Sequence, residues 1–535
     1  MVGHILKKDI GLLWPLALLV VAIHVCAEVP QHLLDMGEQS RQLALIAELL
    51  AMLGLLGVMV VVVLAMHQDA VPGVRQDWLT RPIRRGDLIL AKLAFVILMV
   101  QAPLWLVNVA AALADGLPLS AACVGAATRN LAVFCEIALP AMIVGAITRS
   151  FIEAFVLAIA TLVFYVALFQ VLLALLLGVR AAVPETGAGW MLDAGFYLIA
   201  IVVAAAVLCI QYLRRRTLLA RVLAVLGGVG IGACAFAPWH LAFALQRALS
   251  PQPLAAQSVQ LGFDAQGGRY QAPRGAAPAV RTALYVPLHA AGVPEGTSVL
   301  MDHADLRVTG LDGSILYRGK SNISVDGVGS LFDAIFEIRS SESSERAAPL
   351  YQRLYLPAQV LKSLGNRPVR ITIDESLTLF VPAEKYSLPA VGADLTLGAL
   401  GRCRTRIDSE GDDVQIQCLS TAKQPLCYTA YLEQPGSGLR NPPSHGCFPA
   451  YAPAIFAPLL PDAIHRTGGE LPFFDRSELA QYPIDGSKLA DSRMVIQTFV
   501  PADHFTRQVE TPIVKLADLS TLTSSLPDPE PRKVY

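Results

Sequence analysis

The sequence has few charged residues, and it lacks the short motifs that several classes of enzyme require. Asp, Glu, Lys and Arg make up 16% of the 535 residues, whereas an average soluble domain has about 25%. There is no G-x-x-x-x-G-K-[ST] sequence, so the chain cannot hold nucleotide phosphates in a P-loop of its own. There is also no H-E-x-x-H sequence, no C-x-x-C pair and no pair of histidines at helical ligand spacing, which excludes the simplest zinc sites. The net charge of −1 excludes a strongly basic nucleic-acid surface. We therefore expect no metal, no cofactor and no nucleic-acid partner.

Apolar residues are in excess, and they are unevenly distributed. They make up 54% of the chain, and the mean hydropathy is +0.51. Nearly all of the long apolar runs lie before residue 240. A helix of about 20 apolar residues crosses a bilayer core, so residues 1–249 are predicted to form a transmembrane domain. The seven predicted spans are Ile10–Cys26, Leu43–Met66, Leu88–Leu113, Ala132–Ile147 (with a start near Cys123 as the alternative), Phe151–Leu177, Met191–Leu213 and Leu218–Pro238. Trp239, a residue type that favours the membrane–water interface, follows the last of them.

The cationic residues in the connectors predict the orientation. The connectors assigned to the cytosol carry twelve Lys and Arg residues and those assigned to the outside carry three. Cationic connectors stay in the cytosol, so the N-terminus is predicted to be cytosolic. An odd number of spans then places the C-terminal half outside. The cytosolic set is Lys7, Lys8, Arg75, Arg81, Arg84, Arg85, Lys92, Arg149, Arg214, Arg215, Arg216 and Arg221, and the outer set is Arg41, Arg129 and Arg180.

Residues 250–520 have a different composition, with many Pro and Gly residues and short alternating apolar runs such as Val369–Ile373 and Met494–Val500. Short strands with frequent turns are typical of antiparallel sheet. The predicted fold is an α-helical polytopic membrane domain followed by a mainly antiparallel β domain, most simply a sandwich. Residues 521–535 are rich in Pro and poor in apolar residues, which predicts a disordered tail.

Four cysteines cluster in this second half, where they can form two disulfides. The segment between Cys403 and Cys418 has its midpoint at Glu410 and Gly411. A hairpin turning there would place the two cysteines opposite each other. The second bridge would be Cys427–Cys447. Four cysteines allow three pairings, and a metal site or a reactive Cys447 beside His445 is the alternative. Disulfides would indicate an oxidising compartment.

The connector between the second and third spans carries the most specific pattern. It reads W-L-T-R-P-I-R-R-G-D-L-I-L-A-K from Trp78 to Lys92. This pattern resembles the loop between the second and third spans of permease subunits in the type-2 ABC exporter family. That loop holds a short coupling helix that docks on a separate ATPase subunit. An ordinary cationic connector is the alternative interpretation.

The resemblance covers roughly residues 1–240 and implies a role for each residue of the connector. The cationic side chains would contact acidic groups on the ATPase, the bulky ones would pack into its groove, and the proline limits the helix to a turn or two on either side. These residues are Arg81, Arg84 and Arg85; Trp78 and Ile83; and Pro82.

For the whole chain, the resemblance implies the membrane subunit of an exporter in the bacterial inner membrane. ATP would be bound by a cytosolic ABC ATPase, and two permease subunits would assemble as a homodimer or heterodimer among membrane lipids. The family core has six spans, so the seventh span is a departure that places the β domain in the periplasm.

Two acidic residues inside spans are candidates for a translocation path, because charges in hydrocarbon are costly and usually face a partner helix or water. They are Glu48 in the second span and Glu136 in the fourth, one turn before Pro140. A structural hydrogen bond between helices is the alternative for Glu136, and a position near the outer interface is the alternative for Glu48. Gln101 and Asn108 are expected to be packing groups.

A second function fits the same organisation. The chain could be a membrane-anchored sensor or assembly protein, with an outer β domain that binds a ligand and spans that transport nothing. An outer-domain enzyme would need a nucleophile–base pair or a metal motif, and the sequence has no recognisable one.

Overall fold

A computed structural model gives the structure of the chain. It describes residues 1–35, 41–69, 84–160, 163, 189–234, 239–266, 282–322, 350–356, 358–407, 413–420, 427–433, 444–447, 475–483 and 491–519. The predicted tail, residues 521–535, lies outside the described residues, as does most of the cationic connector.

The first part of the chain is helical, and five of its helices are long and apolar enough to cross a membrane. These stretches are Val2–Val29, Leu45–His67, Gly86–Ala114, Leu119–Ile147 and Ala194–Arg214. Many of their Leu, Ile and Val side chains are exposed on the outer surface of the bundle, as expected of helices that face lipid. The helices are α1 Val2–Asp35, α2 Arg41–His67, α3 Arg85–Phe95, α4 Ala102–Ala114, α5 Leu119–Val133, α6 Leu139–Ile147, α7 Phe151–Ala160, α8 Gly189–Leu208, α9 Thr217–Cys234 and α10 Trp239–Ala248.

Three of the long helices contain a π-helical segment. Val96–Gln101 joins α3 to α4, Phe134–Ala138 joins α5 to α6, and Cys209–Arg214 extends α8. Such segments widen the helix by one residue and often occur at functional sites. Each of these three carries a polar residue of the bundle interior: Gln101, Glu136 and Gln211.

The structure differs from the predicted spans at several points. The fourth span begins at Leu119 and not at Ala132, because small residues at helical spacing pack α5 against α4 and carry the helix past Arg129. Arg129 is therefore inside a span and not in an outer connector, and Lys92 likewise lies within α3. The predicted fifth and seventh spans correspond to shorter apolar helices, Phe151–Ala160 and Thr217–Gly232, and most of the remaining residues of the predicted fifth span lie outside the described residues.

The second part of the chain is mostly antiparallel sheet. Its strands, given as residue ranges, are β1 260–263, β2 282–291, β3 298–309, β4 315–322, β5 350–356, β6 368–389, β7 394–397, β8 401–407, β9 413–420, β10 427–433, β11 444–447, β12 475–483, β13 493–510 and β14 514–515. A short helix, α11 Ala358–Leu364, follows β5. The strand orders are β1-β2-β5, β11-β10-β13-β6-β3-β4 with β14 beside β6, and β12-β9-β8-β7.

The long strands β6 and β13 organise this part. They pair from Arg493 opposite Pro389 to Glu510 opposite Thr372, with two register shifts. One face of β6 presents buried apolar side chains, including Ile371, Ile373 and Leu377, to the largest core cluster of the region. The other face presents polar side chains to α10.

Helix α10 packs on that polar face and so connects the membrane helices to the sheet. Trp239 is fully buried; its ring stacks on Phe243, and its indole N–H donates to the Ser376 hydroxyl at 3.5 Å. Just after the helix, the Ser250 hydroxyl accepts from the backbone N–H of His504 at 3.1 Å. The ring of Trp239 is therefore buried against the sheet.

The predicted hairpin and its disulfide are confirmed. Cys403 on β8 lies opposite Cys418 on β9 in register, and the two are bonded. Cys427 is also disulfide-bonded, and it lies opposite Cys447 in the register of β10 and β11. That register is compatible with a Cys427–Cys447 bridge. The second bridge itself stays a prediction.

Removing the first bridge should destabilise the C-terminal region. Closing a loop of 15 residues restricts the unfolded chain and is worth about 3 kcal/mol. Cys418→Ser should lower the free energy of unfolding by about that amount, whereas Cys26→Ser, at an exposed free cysteine of α1, should not change it. Urea unfolding measures this, and non-reducing mass spectrometry should also recover a peptide that links Cys427 to Cys447. Free thiols at both of those positions would contradict the second bridge.

Candidate functional site

The cationic connector is described only at its C-terminal edge. Trp78, Arg81, Pro82 and Ile83 lie outside the described residues, so their predicted roles are untested. Arg84 is exposed with an extended backbone, and Arg85 begins α3. The connector is therefore characterised by the residues that flank it on α2 and α3.

A buried group of charged side chains joins the two sides of the connector; we call it the Lys92 network. Lys92 on α3 and Asp9 on α1 are each 0% exposed, and Asp69, just after α2, is 6% exposed. The Lys92 ammonium lies 2.8 Å from a carboxylate oxygen of Asp9 and 2.6 Å from one of Asp69. The exposed Lys8 ammonium contacts the other Asp69 oxygen at 2.6 Å. Three helices are thus tied together at one end of the bundle.

The charges of the network stabilise one another. Burial acts to raise the pKa of Asp69, but the ammonium groups of Lys92 and Lys8 outweigh burial and hold that pKa below its ordinary value. Buried opposite charges remain charged only when their geometry is good, because the desolvation cost is several kcal/mol per ion. The network therefore fixes the relative positions of α1, α2 and α3.

The network is not saturated with hydrogen bonds. The outer Asp9 oxygen, the Gln211 carbonyl and the Tyr212 hydroxyl are buried without a hydrogen-bond partner among the described residues. Gln211 and Tyr212 belong to the π segment after α8, which packs against α3. Each unmet buried group costs about 1–3 kcal/mol. These unmet groups lower the stability that the ion pairs contribute at this end of the bundle.

A second polar group closes the same end of the bundle. His67 ends α2, and its Nε2 lies 2.9 Å from the Thr148 hydroxyl after α6. Arg221 on α9 donates to the carbonyl of Ile147 at 2.9 Å and pairs with Glu153 on α7. A displacement of the connector would therefore reach the helices through side-chain contacts on both α2 and α3.

The two predicted path residues are not part of this site. Glu136 lies in the π segment between α5 and α6, where it accepts a hydrogen bond of 2.7 Å from the Tyr197 hydroxyl on α8. This contact supports the structural alternative. Glu48 is half-buried on α2. The structure does not bring Glu48 and Glu136 together at a common cavity among the described residues.

Asp9 and Asp69 were missed as site residues because their partner is remote in sequence. The available clue was the presence of single charges at the edges of apolar runs, which must be paired if buried. Among the described residues, no group of three or more His, Cys, Asp or Glu side chains is placed to hold a metal. The network consists of two carboxylates and two ammonium groups, with no nucleophile–base pair among them.

Comparisons with known proteins do not identify the chain. No protein-family model matches it, and no curated protein matches it either.

Proposed function

We propose that the chain is the membrane-spanning subunit of an ATP-driven exporter. A separate cytosolic ABC ATPase binds and hydrolyses ATP, and this subunit converts that cycle into a movement of its helices that exports cargo. The chain is then a transporter subunit without enzymatic activity or a cofactor of its own.

The observation that supports this function best is the position of the Lys92 network. Residues 70–84 leave α2 next to Asp69 and return into α3 two turns before Lys92. A force applied to the connector by an ATPase acts on both sides of one ion-pair junction, which passes it to α1 through Asp9. A connector that served only as a topology signal would have no need of such an anchor.

The proposal includes an arrangement in the membrane. The N-terminus and the connector face the cytosol of a bacterium, seven spans cross the inner membrane, and the β region lies in the periplasm as a sandwich. Two permease subunits, identical or different, form the membrane part. One contact supports placing the β region on the same side of the membrane as the turn between the third and fourth spans. Arg402 on β8 donates a hydrogen bond to the carbonyl of Asp115 in that turn.

The same contact favours a second candidate, a sensor or assembly protein. Arg402 also forms an ion pair with Asp394 on β7, which fixes the position of its side chain. Arg402 therefore holds the four-stranded sheet against the turn after α4. A ligand that moved this sheet would move the ends of two spans without any ATPase. An ATPase that co-purifies from native membranes separates the exporter from this alternative.

The coupling role predicts a loss of ATPase association when the connector anchors are removed. Interfaces concentrate their energy in a few Trp and Arg residues, each worth about 2 kcal/mol or more. The double variant Trp78→Ala/Arg81→Ala should insert and fold, but it should bind the ATPase at least about 30-fold more weakly and lose substrate-stimulated ATP hydrolysis.

A matched control removes the same two residue types outside the connector. Trp14 and Arg149 are both exposed. Trp14→Ala/Arg149→Ala should keep both association and stimulation. If both double variants keep them, the connector is a topology signal only and the exporter proposal loses its main support.

A further inference from the structure

Helix α10 has apolar side chains on two of its sides, and the sheet covers only one of them. The covered side consists of the buried residues Trp239, Ala242, Phe243 and Gln246. The other side carries an exposed row, here called the leucine stripe, which consists of Leu241, Ala244, Leu245, Ala248 and Leu249. Successive helical residues turn by about 100°, so these positions form one continuous row along the helix. The three leucines are 38–54% exposed, so the contact with the sheet does not account for this side of α10.

A third side of α10 is polar and carries no acidic residue. His240 and Arg247 are seven residues apart, which is close to two helical turns, so they lie on the same side of the helix. Both are exposed, and His240 Nε2 lies 3.6 Å from a carboxylate oxygen of Asp305 on β3. The helix itself contains no Asp or Glu. An apolar stripe bordered by a cation is typical of a helix that lies in the interface of a membrane with anionic lipids.

The stripe begins close to the edge of the membrane. Helix α9 ends at Cys234, whose Sγ lies 2.8 Å from the position of a Cβ added to Gly195. Gly195 is the second residue of a long apolar stretch, Ala194–Arg214, so α9 ends level with an end of that stretch. The chain from Cys234 to Trp239 covers five residue steps, at most about 18 Å. The leucine stripe therefore follows, after a short connection, a helix whose own exposed side chains are apolar.

A second contact holds the sheet region at the same end of the bundle. Asp115 directly follows the third long apolar stretch, and its carbonyl accepts a hydrogen bond from Arg402. The fourth stretch returns from this end to Ile147, where the carbonyl accepts from Arg221, near the start of α9. Helix α9 therefore starts at the opposite end, and Cys234 lies at the end where Asp115 lies. Two separate contacts thus keep the sheet region, and α10 with it, beside one end of the bundle.

We propose that the leucine stripe of α10 lies in the lipid interface at this end of the bundle. The leucine side chains reach the boundary between headgroups and acyl chains, and Arg247 lies at the level of the phosphates. Helices of this kind bury their apolar side by about 5–10 Å. Because α10 contacts β3, β6 and β13 in turn, it lies across these strands, and the sheet rests on the membrane surface through it. The inference concerns the lipid contact alone, and it stands whether or not the chain works with an ATPase.

A photoreactive side chain in the stripe reports what lies against it. A p-benzoylphenylalanine in place of Leu245 inserts into a neighbouring C–H bond on irradiation, and mass spectrometry identifies the adduct. Leu226 on α9 is 59% exposed and serves as the positive control for lipid. Ile513 is the matched negative control, because it is also a large exposed apolar residue, at 57%. It lies nine residues beyond His504, the β13 residue whose ring contacts Phe243 on α10.

The test uses the purified full-length chain in nanodiscs with equal amounts of phosphatidylcholine and phosphatidylglycerol. The reporters at Leu245 and Leu226 should give lipid adducts as their main products. The reporter at Ile513 should give no lipid adduct above the level of a sample kept in the dark. These three chains are otherwise unmodified, so the comparison does not depend on how any further variant folds.

A double variant tests whether the stripe itself causes the contact. Leu241→Gln/Leu249→Gln removes the apolar neighbours of the Leu245 reporter, so the lipid adduct at that reporter should be lost. Leu311→Gln/Ile315→Gln changes two exposed apolar residues at the turn between β3 and β4, and it should leave the adduct unchanged.

Four results would overturn the proposal. The first is a lipid adduct at Leu226 without one at Leu245, and the second is an equal yield of lipid adduct at Leu245 and Ile513. The third is a Leu245 reporter that joins two copies of the chain in place of lipid, which would assign the stripe to a contact between subunits. The fourth is a full yield of lipid adduct at Leu245 in the double variant Leu241→Gln/Leu249→Gln, because the leucines would then not be what holds the helix in the interface.

Discussion

Replacing Lys92 with methionine should destabilise the membrane region by about 3–5 kcal/mol, the cost of removing one partner from a buried ion pair. Among the described residues, the variant leaves Asp9, which is 0% exposed, with the Lys8 ammonium at 3.7 Å in place of the Lys92 ammonium at 2.8 Å. Asp69 keeps Lys8 at 2.6 Å, so the loss falls mainly on Asp9. Heating in detergent followed by size-exclusion chromatography measures the fraction that remains folded.

Lys8→Met is the matched control, because it removes the same residue type from the same network. The Lys8 side chain is 42% exposed, and exposed ion pairs are worth about 0–1 kcal/mol. Equal destabilisation by the two variants would contradict the buried position of Lys92.

A triple variant, Lys92→Met/Asp9→Leu/Asp69→Leu, separates stability from coupling. Replacing a buried group of charges by apolar residues of similar volume is often neutral for stability, so this variant should fold about as well as the unmodified chain. If the network transmits the movement of the connector, the triple variant should still bind the ATPase but lose stimulated hydrolysis. Retained stimulation would assign the network a structural role only.

The spans were accessible from the sequence, but the contacts between them were not. An apolar run of about 20 residues is a local property, and each of the five long helices overlaps a predicted run. Lys92 and Arg129 were interpreted as connector charges because a cation is normally kept out of hydrocarbon. Their partners, Asp9 and Glu28, are 83 and 101 residues away along the chain. Only the packing of the helices shows that each cation enters the bundle with a carboxylate.

The same division holds in the C-terminal region. The pairing of Cys403 with Cys418 could be predicted because it depends only on the short segment between them, which turns near its midpoint. The pairing of β6 with both β3 and β13 joins residues more than 60 positions apart, and no local pattern encodes it. The buried position of Glu375, between β3 and β13, is a consequence of that pairing.

Glu375→Gln should make the C-terminal region more stable above neutral pH. Glu375 is 0% exposed, and neither carboxyl oxygen has a hydrogen-bond partner among the described residues. It lies opposite Ala304 on β3 and Arg507 on β13, but the Arg507 guanidinium is bonded to the carbonyls of Val259 and Ala256. Burial raises the pKa of Glu375 from 4.5 to about 8. The folded chain therefore holds a proton that the unfolded chain has released between those values.

The sign of the pH effect follows from proton linkage. Below pH 4.5, Glu375 is protonated in both states and does not reduce the free energy of unfolding. This stability is lost as the pH rises through about 8, because the unfolded chain releases the proton first. His504 acts in the opposite direction, because burial lowers its pKa from 6.5 to about 4. Its contribution is present above pH 6.5 and is lost as the pH falls through about 4. The two effects oppose each other below pH 6.5, and only that of Glu375 acts between 6.5 and 8.

In the unmodified chain, Glu375 should therefore lower the free energy of unfolding by about 1.4 kcal/mol per pH unit above pH 6.5, or about 2 kcal/mol by pH 8. Glu375→Gln should remove this loss, and Glu510→Gln, at an exposed position of β13, should leave it unchanged. Urea unfolding of the full-length chain, followed by pulse proteolysis of the C-terminal region, measures the difference at each pH. His504→Gln should extend the loss down to about pH 4.5, since the opposing histidine is gone. Parallel curves for Glu375→Gln and the unmodified chain would mean that Glu375 is already ionised in the fold, with its charge compensated by a neighbour such as Arg507.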